Sequence, residues 1–178
     1  MPSIWTWDKL LQSSARLNPK TRGKNYPSTP KFELLNVIPY KGTKSVLVQL
    51  QAWGVTQSAL HQVSILFQKV NFIDEPPKTI YNYCKVTYDN QEYYFEKFDK
   101  LRNPVSVRCS CKDFFFSFAY EDYSLAHCLY GPKPKPYKRK TPRPPQGRPY
   151  RNPRHYPGIC KHIYNAWDFL KRRGYTRN

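Results

Sequence analysis

Thirty Lys and Arg against twelve Asp and Glu give this 178-residue chain a formal charge of +18, so it repels copies of itself at low salt and is drawn to polyanions, nucleic acid first among them. Hydrophobic residues make up 39% of the chain and aromatics 16%, enough for a real core in one domain or two small ones, which excludes a wholly disordered protein. Seventeen prolines against seven glycines favour stiff, extended arms over flexible linkers.

The residues Met1 to Asp8 show no basic region leading into a continuous apolar one, and no stretch approaches about 18 consecutive apolar residues. A protein that is neither secreted nor membrane-spanning is expected. Ile4, Trp7, Leu10, Leu11 and Leu17 trace one helical face that Pro19 stops, which predicts a short amphipathic helix. Asn18 to Pro30 mixes prolines, a glycine and basic residues, as an exposed connector does.

From Val46 the period changes to two. Val46, Val48, Leu50 and Ala52 form one strand face, and Val63, Ile65 and Phe67 form another; the two runs predict a hairpin. The apolar parity switches at Val70 and Phe72, which reads as a bulge. Ile80 to Tyr88, Tyr93 to Phe98 and Val105 to Cys109 are further short strands, with Asp89-Asn90 as a turn. At least five strands so close in sequence imply mainly antiparallel pairing. The run Phe114 to Tyr120 reads as core. Ile159, Ile163, Ala166, Trp167 and Leu170, followed by Lys171-Arg172-Arg173-Gly174, predict a C-terminal helix.

Five cysteines are an odd number, and a Cys-x-Cys disulfide would be strained, so metal binding in a reducing compartment fits better. Zinc takes thiolate and imidazole in a tetrahedron, and short spacings deliver such ligands two at a time. The pairs here are Cys109-Ser110-Cys111, leaving a strand, and Cys160-Lys161-His162, opening a helix whose N-terminus favours a thiolate. One structural Zn²⁺ is expected. His127 and Cys128 remain rival ligands, Cys84 reads as a small buried apolar residue, and His61 and His155 read as loop histidines.

The two pairs resemble the SWIM zinc finger, with its Cys-x-Cys, spacer and Cys-x-His on a strand-strand-helix unit. The likeness covers roughly residues 80 to 172, centred on Cys109 to Phe114 and Gly158 to Ile163. It departs in the spacer, 48 residues between Cys111 and Cys160, where the family has a short one. Each doubling of a loop costs only about 0.6 kcal/mol, so the insertion does not forbid the site. The runs Val107 to Phe114, Tyr137 to Pro145 and Pro157 to His162 further resemble virion-associated proteins of tailed bacteriophages. That likeness implies a capsid or neck component in a multi-subunit complex, located in the virion, or otherwise cytoplasmic.

The insertion at 131–157 carries nine prolines and nine Lys and Arg, and no acidic residue lies between Asp122 and Asp168. It cannot be a regular helix or a central strand. Lys133, Lys135, Tyr137, Lys138, Arg139, Lys140, Arg143, Arg148, Tyr150 and Arg151 interleave cations with aromatics, a combination that meets phosphates and bases or a partner's prolines.

The expected fold class is α+β, mainly antiparallel β. Its parts are 1–30, a short N-terminal helix and basic connector; 31–78, a β-hairpin region; and 79–178, a zinc-bound β-β-α unit with the proline-rich arm. No phosphate loop, nucleophile elbow or His-Glu-x-x-His occurs, and four protein ligands leave a zinc no open position for an activated water, so no enzyme is expected. The expected role is structural: docking through the arm to other virion or assembly proteins, with no membrane. The rival is a nucleic-acid-binding module that contacts DNA phosphates.

Overall fold

Residue patterning with a period of two produces most of the strands, and the register of those strands builds the core. The structure is a computed structural model that describes residues 4–17, 31–53, 59–79, 81–129, 133–135, 152 and 155–177. The first helix, α1 (Trp7–Leu17), starts later than its apolar spacing predicts, and Ile4 is exposed ahead of it. Trp7 and Leu10 are buried, and Ser14 continues the inner face, satisfying its hydroxyl on Leu10 O at 2.8 Å.

β1 (Phe32–Tyr40), β2 (Ser45–Trp53) and β3 (Leu60–Phe67) form an antiparallel meander that β7 (Val105–Cys109) completes in the order β1-β2-β3-β7. Val48 pairs with Ile65 and Ile65 with Val107, so three fully buried residues stand in one row across the sheet. The expected β2–β3 pairing is therefore present, and the edge strand β1 is an addition. β1 lacks clean alternation because its register shifts between Leu34 and Asn36, and Pro39 sits near its end, which an edge tolerates.

The parity switch at Val70 is not a bulge. β3 ends at Phe67, Lys69 takes a φ of 53°, and the chain leaves for a second sheet. β4 (Phe72–Ile73), β5 (Tyr83–Tyr88) and β6 (Gln91–Glu96) pair antiparallel in the order β4-β6-β5. Asp89 and Asn90 both have positive φ, 50° and 59°, as the tight hairpin turn between β5 and β6 requires.

The aromatic run after Cys111 folds as two short helices, α2 (Lys112–Ser117) and α3 (Ala119–Ser124), which sequence patterning misses. Phe114 and Phe118, four apart, are buried, while Phe115 between them is 49% exposed. The last helix, α4 (Lys161–Arg172), buries Ile163, Ala166 and Leu170 completely and packs on β7 and β3. Gly174, at φ 79°, ends it as predicted, its N–H donating to Lys171 O. The described fold is thus α+β with antiparallel sheets and a C-terminal helix. No helix among the described residues is long and apolar enough to cross a membrane.

Phe98 joins the two sheets to the C-terminus. Its ring stacks on Phe67 with centroids 3.8 Å apart, its N–H donates to Tyr175 O, and its carbonyl accepts from Arg177 N. Truncating so large and fully buried a ring costs about 3–5 kcal/mol. Phe98→Ala should therefore lower the urea midpoint of unfolding sharply, whereas Phe115→Ala should leave it nearly unchanged.

Candidate metal centre

β7 ends at Cys109, and the next residue is held where the chain must turn. Ser110 donates its N–H to Gln62 O at 3.0 Å, and Gln62 N–H donates back to Ser110 Oγ at 2.9 Å. The turn swings Cys111 back so that its N–H lies 3.5 Å from Cys109 Sγ. Cys111 then caps α2, its sulfur accepting from Phe114 N–H at 3.3 Å. Cys160 caps α4, with His162 in the first turn and its Nδ1 3.9 Å from Cys109 Sγ.

The four ligand atoms of Cys109, Cys111, Cys160 and His162 all lie within 4.8 Å of one another, and each residue is buried. Tetrahedral zinc with bonds near 2.3 Å needs ligand-to-ligand edges of about 3.8 Å. The cluster is close to that size, so these residues are positioned to hold a metal ion.

Electrostatics inside the cluster are those of groups waiting for a cation. Burial, the largest effect, pushes the Cys109 and Cys160 thiols well up. Hydrogen bonds from those two sulfurs, with help from His162 and the Phe114 N–H, hold Cys111 far below the ordinary thiol value. Cys111 is the sulfur that accepts a helix-cap bond, whereas Cys160, at the N-terminal cap position of α4, makes no side-chain cap bond and lies fully buried.

The second ligand pair is positioned by the segment before it. Gly158 N–H donates to Asp122 Oδ1 at 2.8 Å and Ile159 N–H to Ser14 Oγ at 2.7 Å. A Cβ on Gly158 would stand 2.7 Å from Phe118 Cε1 and also collide with Ser14 Oγ, so only glycine lets α1, α3 and this segment meet. Further back, Asn152 Nδ2 donates to Ser117 O at 2.8 Å, and His155 Nδ1 lies 2.6 Å from Glu121 Oε1. At the other root of the insertion, Leu129 N–H donates to Val107 O and Arg108 Nη1 donates to Leu129 O at 3.0 Å.

The rival ligands do not join the cluster. Cys128 pairs beside β7 at Val107, with its sulfur 3.9 Å from Arg108 Nη1, and burial followed by Asp122 pushes its thiol up to about 11. His127 packs edge-on against Trp5 at 5.8 Å. Cys84 is buried as expected, its thiol pushed up to about 12 by burial.

His61 corrects the sequence reading: it lies in β3, not a loop, with its ring 4.5 Å from that of His162. Burial, then the nearby His162, holds it below the ordinary imidazole value. Its parity with Val63, Ile65 and Phe67 was the signal that could have placed it. Asp122 and Ser14 were also missed, being remote in sequence from what they hold.

Of the arm residues, Lys133 and Lys135 are described and exposed. Tyr137, Lys138, Arg139, Lys140, Arg143, Arg148, Tyr150 and Arg151 lie outside the described residues. No family model, curated protein or solved structure matches the chain.

Two outcomes follow. Metal analysis of the purified chain should find one ion per molecule, with Cys111→Ser and His162→Ala each weakening retention by more than about 100-fold and Cys128→Ser leaving it unchanged. Asp122 supplies the second. Full burial raises its carboxyl well above the ordinary value, so its contribution to stability is present at low pH and is lost as pH rises through the raised value. Asp122→Asn keeps the acceptor for Gly158 and cannot ionise. Its melting temperature relative to the parent should therefore climb as pH rises above the ordinary carboxyl value of about 4; a flat difference would contradict the reading.

Proposed function

We propose that the chain is a non-enzymatic assembly component, a β scaffold clasped by one structural zinc that presents the basic proline-rich arm to neighbouring subunits. Zinc is the metal that three thiolates and one imidazole favour, and a closed four-ligand set leaves it a structural part. In this reading β7 and α4 supply a strand and the helix of the unit that the SWIM-like spacing implies, and the second strand is β3 (Leu60–Phe67), which lies before the expected 79–178.

One observation carries the proposal. The ligand pairs Cys109/Cys111 and Cys160/His162 bracket 48 residues, and both roots of the insertion are tied to the body. One root is held at Leu129 by Val107 and Arg108, the other by Asn152 on Ser117 and His155 on Glu121. A loop that served only to connect would need no such anchoring. An arm that bears load against a partner does, and a proline-rich composition suits that role, because polyproline II segments in general leave backbone groups open to a partner. The likeness to phage virion proteins makes a tailed-phage particle the assembly we favour.

The rival reading, nucleic-acid binding through Lys133, Lys135, Lys138, Arg139, Lys140, Arg143 and Arg148, is favoured by the net charge of +18. Salt separates the two. Expressed in its native setting, the protein should sediment with large particles in fixed stoichiometry, stay bound at moderate salt, and be released by Tyr137→Ala/Tyr150→Ala. Absence from particles, or release that is log-linear in salt, would count against the assembly reading.

A further inference from the structure

Away from the metal centre, two neighbouring turns share an unusual choice of residue. Lys44 closes the turn between β1 and β2 with φ 50° and ψ 46°, and Lys69 follows β3 with φ 53°. Left-handed backbone is the province of glycine and asparagine, and a lysine there is strained. The strain is held in place: Lys44 N–H donates to Lys41 O at 3.1 Å, and Val70 N–H donates to Lys44 O at 2.8 Å, locking one turn to the other. Asn103 Nδ2 donates to Gln68 O at 3.0 Å and Lys69 O at 3.3 Å, fixing the second turn from below. These bonds use backbone atoms of the two lysines, so they do not explain why both positions carry a lysine side chain.

Both lysines line an open cleft of about 630 Å³, together with Thr43, Ser45, Gln68 and Asn71. No acidic residue lines it. Both lysines are exposed, and neither forms an ion pair with a described residue. Glu96, which accepts from Asn71 at 3.3 Å, is already paired with Arg177 at 2.8 Å. Thr43 Oγ1 and Ser45 Oγ lie 2.7 Å apart, and Thr43 Oγ1 donates to Tyr40 O at 3.3 Å, which ties this wall of the cleft to the end of β1. Two cations and two side-chain amides line the cleft with no carboxylate among them, beside the apolar Leu66, and that charge balance suits a phosphate group.

A flat partner adjoins the cleft. Tyr40 pairs with Ser45 across β1 and β2, so the two side chains share a face of the sheet, and Tyr40 is 44% exposed. The cleft volume falls within the range of about 300–1,000 Å³ common to small-ligand sites, enough for one nucleotide unit. An unpaired base can stack on a tyrosine, whereas a base inside a duplex cannot leave its neighbours without cost.

We propose that this cleft binds one nucleotide unit of a single-stranded nucleic acid, with phosphate between Lys44 and Lys69 and base on Tyr40. The site lies at the Val105 end of β7, opposite the end that carries Cys109, because Val105 pairs with Phe67 and Cys109 with Val63. It rests neither on the metal nor on the arm, and it stands if the assembly reading fails.

The test is fluorescence anisotropy of the full chain with a labelled single-stranded oligonucleotide across a salt series. Lys44→Glu/Lys69→Glu should weaken binding at least tenfold, and the log–log salt slope should shrink by about 0.7, the value for one single-strand phosphate that is no longer neutralised. Tyr40→Ala should weaken binding about fivefold with the slope unchanged. Lys78→Glu/Lys171→Glu makes the same charge change elsewhere on the surface and should leave the slope unchanged. Thermal melting confirms that each variant folds. Equal losses in the two double variants would overturn the proposal, as would inorganic phosphate binding at the cleft while oligonucleotide affinity stays untouched.

Discussion

Three thiols and an imidazole drawn within 4.8 Å in a dry interior impose the constraint around which the rest is arranged. Burial, the largest effect, raises the Cys109 and Cys160 thiols, while hydrogen bonds from their sulfurs lower that of Cys111. A divalent cation replaces that mutual opposition with four bonds. For zinc, the metal proposed here, ligation in small peptides is worth about 10–16 kcal/mol, the size of the net stability of a whole domain, about 5–15 kcal/mol. In that proposal, metal binding and docking of α4 onto β7 and β3 are close to a single event.

Such a clasp needs its parts delivered from far apart, and the polar contacts near it do that work. Asp122 and Ser14 each accept one backbone N–H from the two residues before Cys160. Two backbone donors that would otherwise be buried alone are satisfied by side chains from α3 and α1. The carboxyl of Asp122 is costly to bury as an anion, and its raised proton affinity is how the interior accommodates it. The approach to the ligands is thus fixed by polar groups, and the walls around them by Phe114, Phe118, Ile159 and Ile163, all buried.

The four ligands were legible in the sequence because chelation by neighbours requires short spacing, and short spacing survives any fold. β2, β3, β7 and α4 were legible because each shows one period against one buried face. β1 was not, since the irregularity at Leu34 to Asn36 breaks its alternation where the pattern should be strongest. α2 and α3 were not, because Phe114-Phe115-Phe116-Ser117-Phe118 offers almost no contrast between inward and outward positions. His61 was invisible beside His162 for another reason. Its place depends on the pairing of β3 with β7, which joins Val63 to Cys109 across 45 intervening residues of chain.

Ser14 and Ile159 stand 145 positions apart yet share a buried hydrogen bond of 2.7 Å. A chain made from its N-terminus can complete this junction only once Ile159 has been synthesised. The loop-closure entropy of so distant a pairing must be met before the pairing repays it. Cys109 and Cys111 therefore wait, with their proper partners not yet present, while the basic insertion emerges. Closing the ligand set therefore belongs late in folding, after the 48 residues between its two pairs have been made.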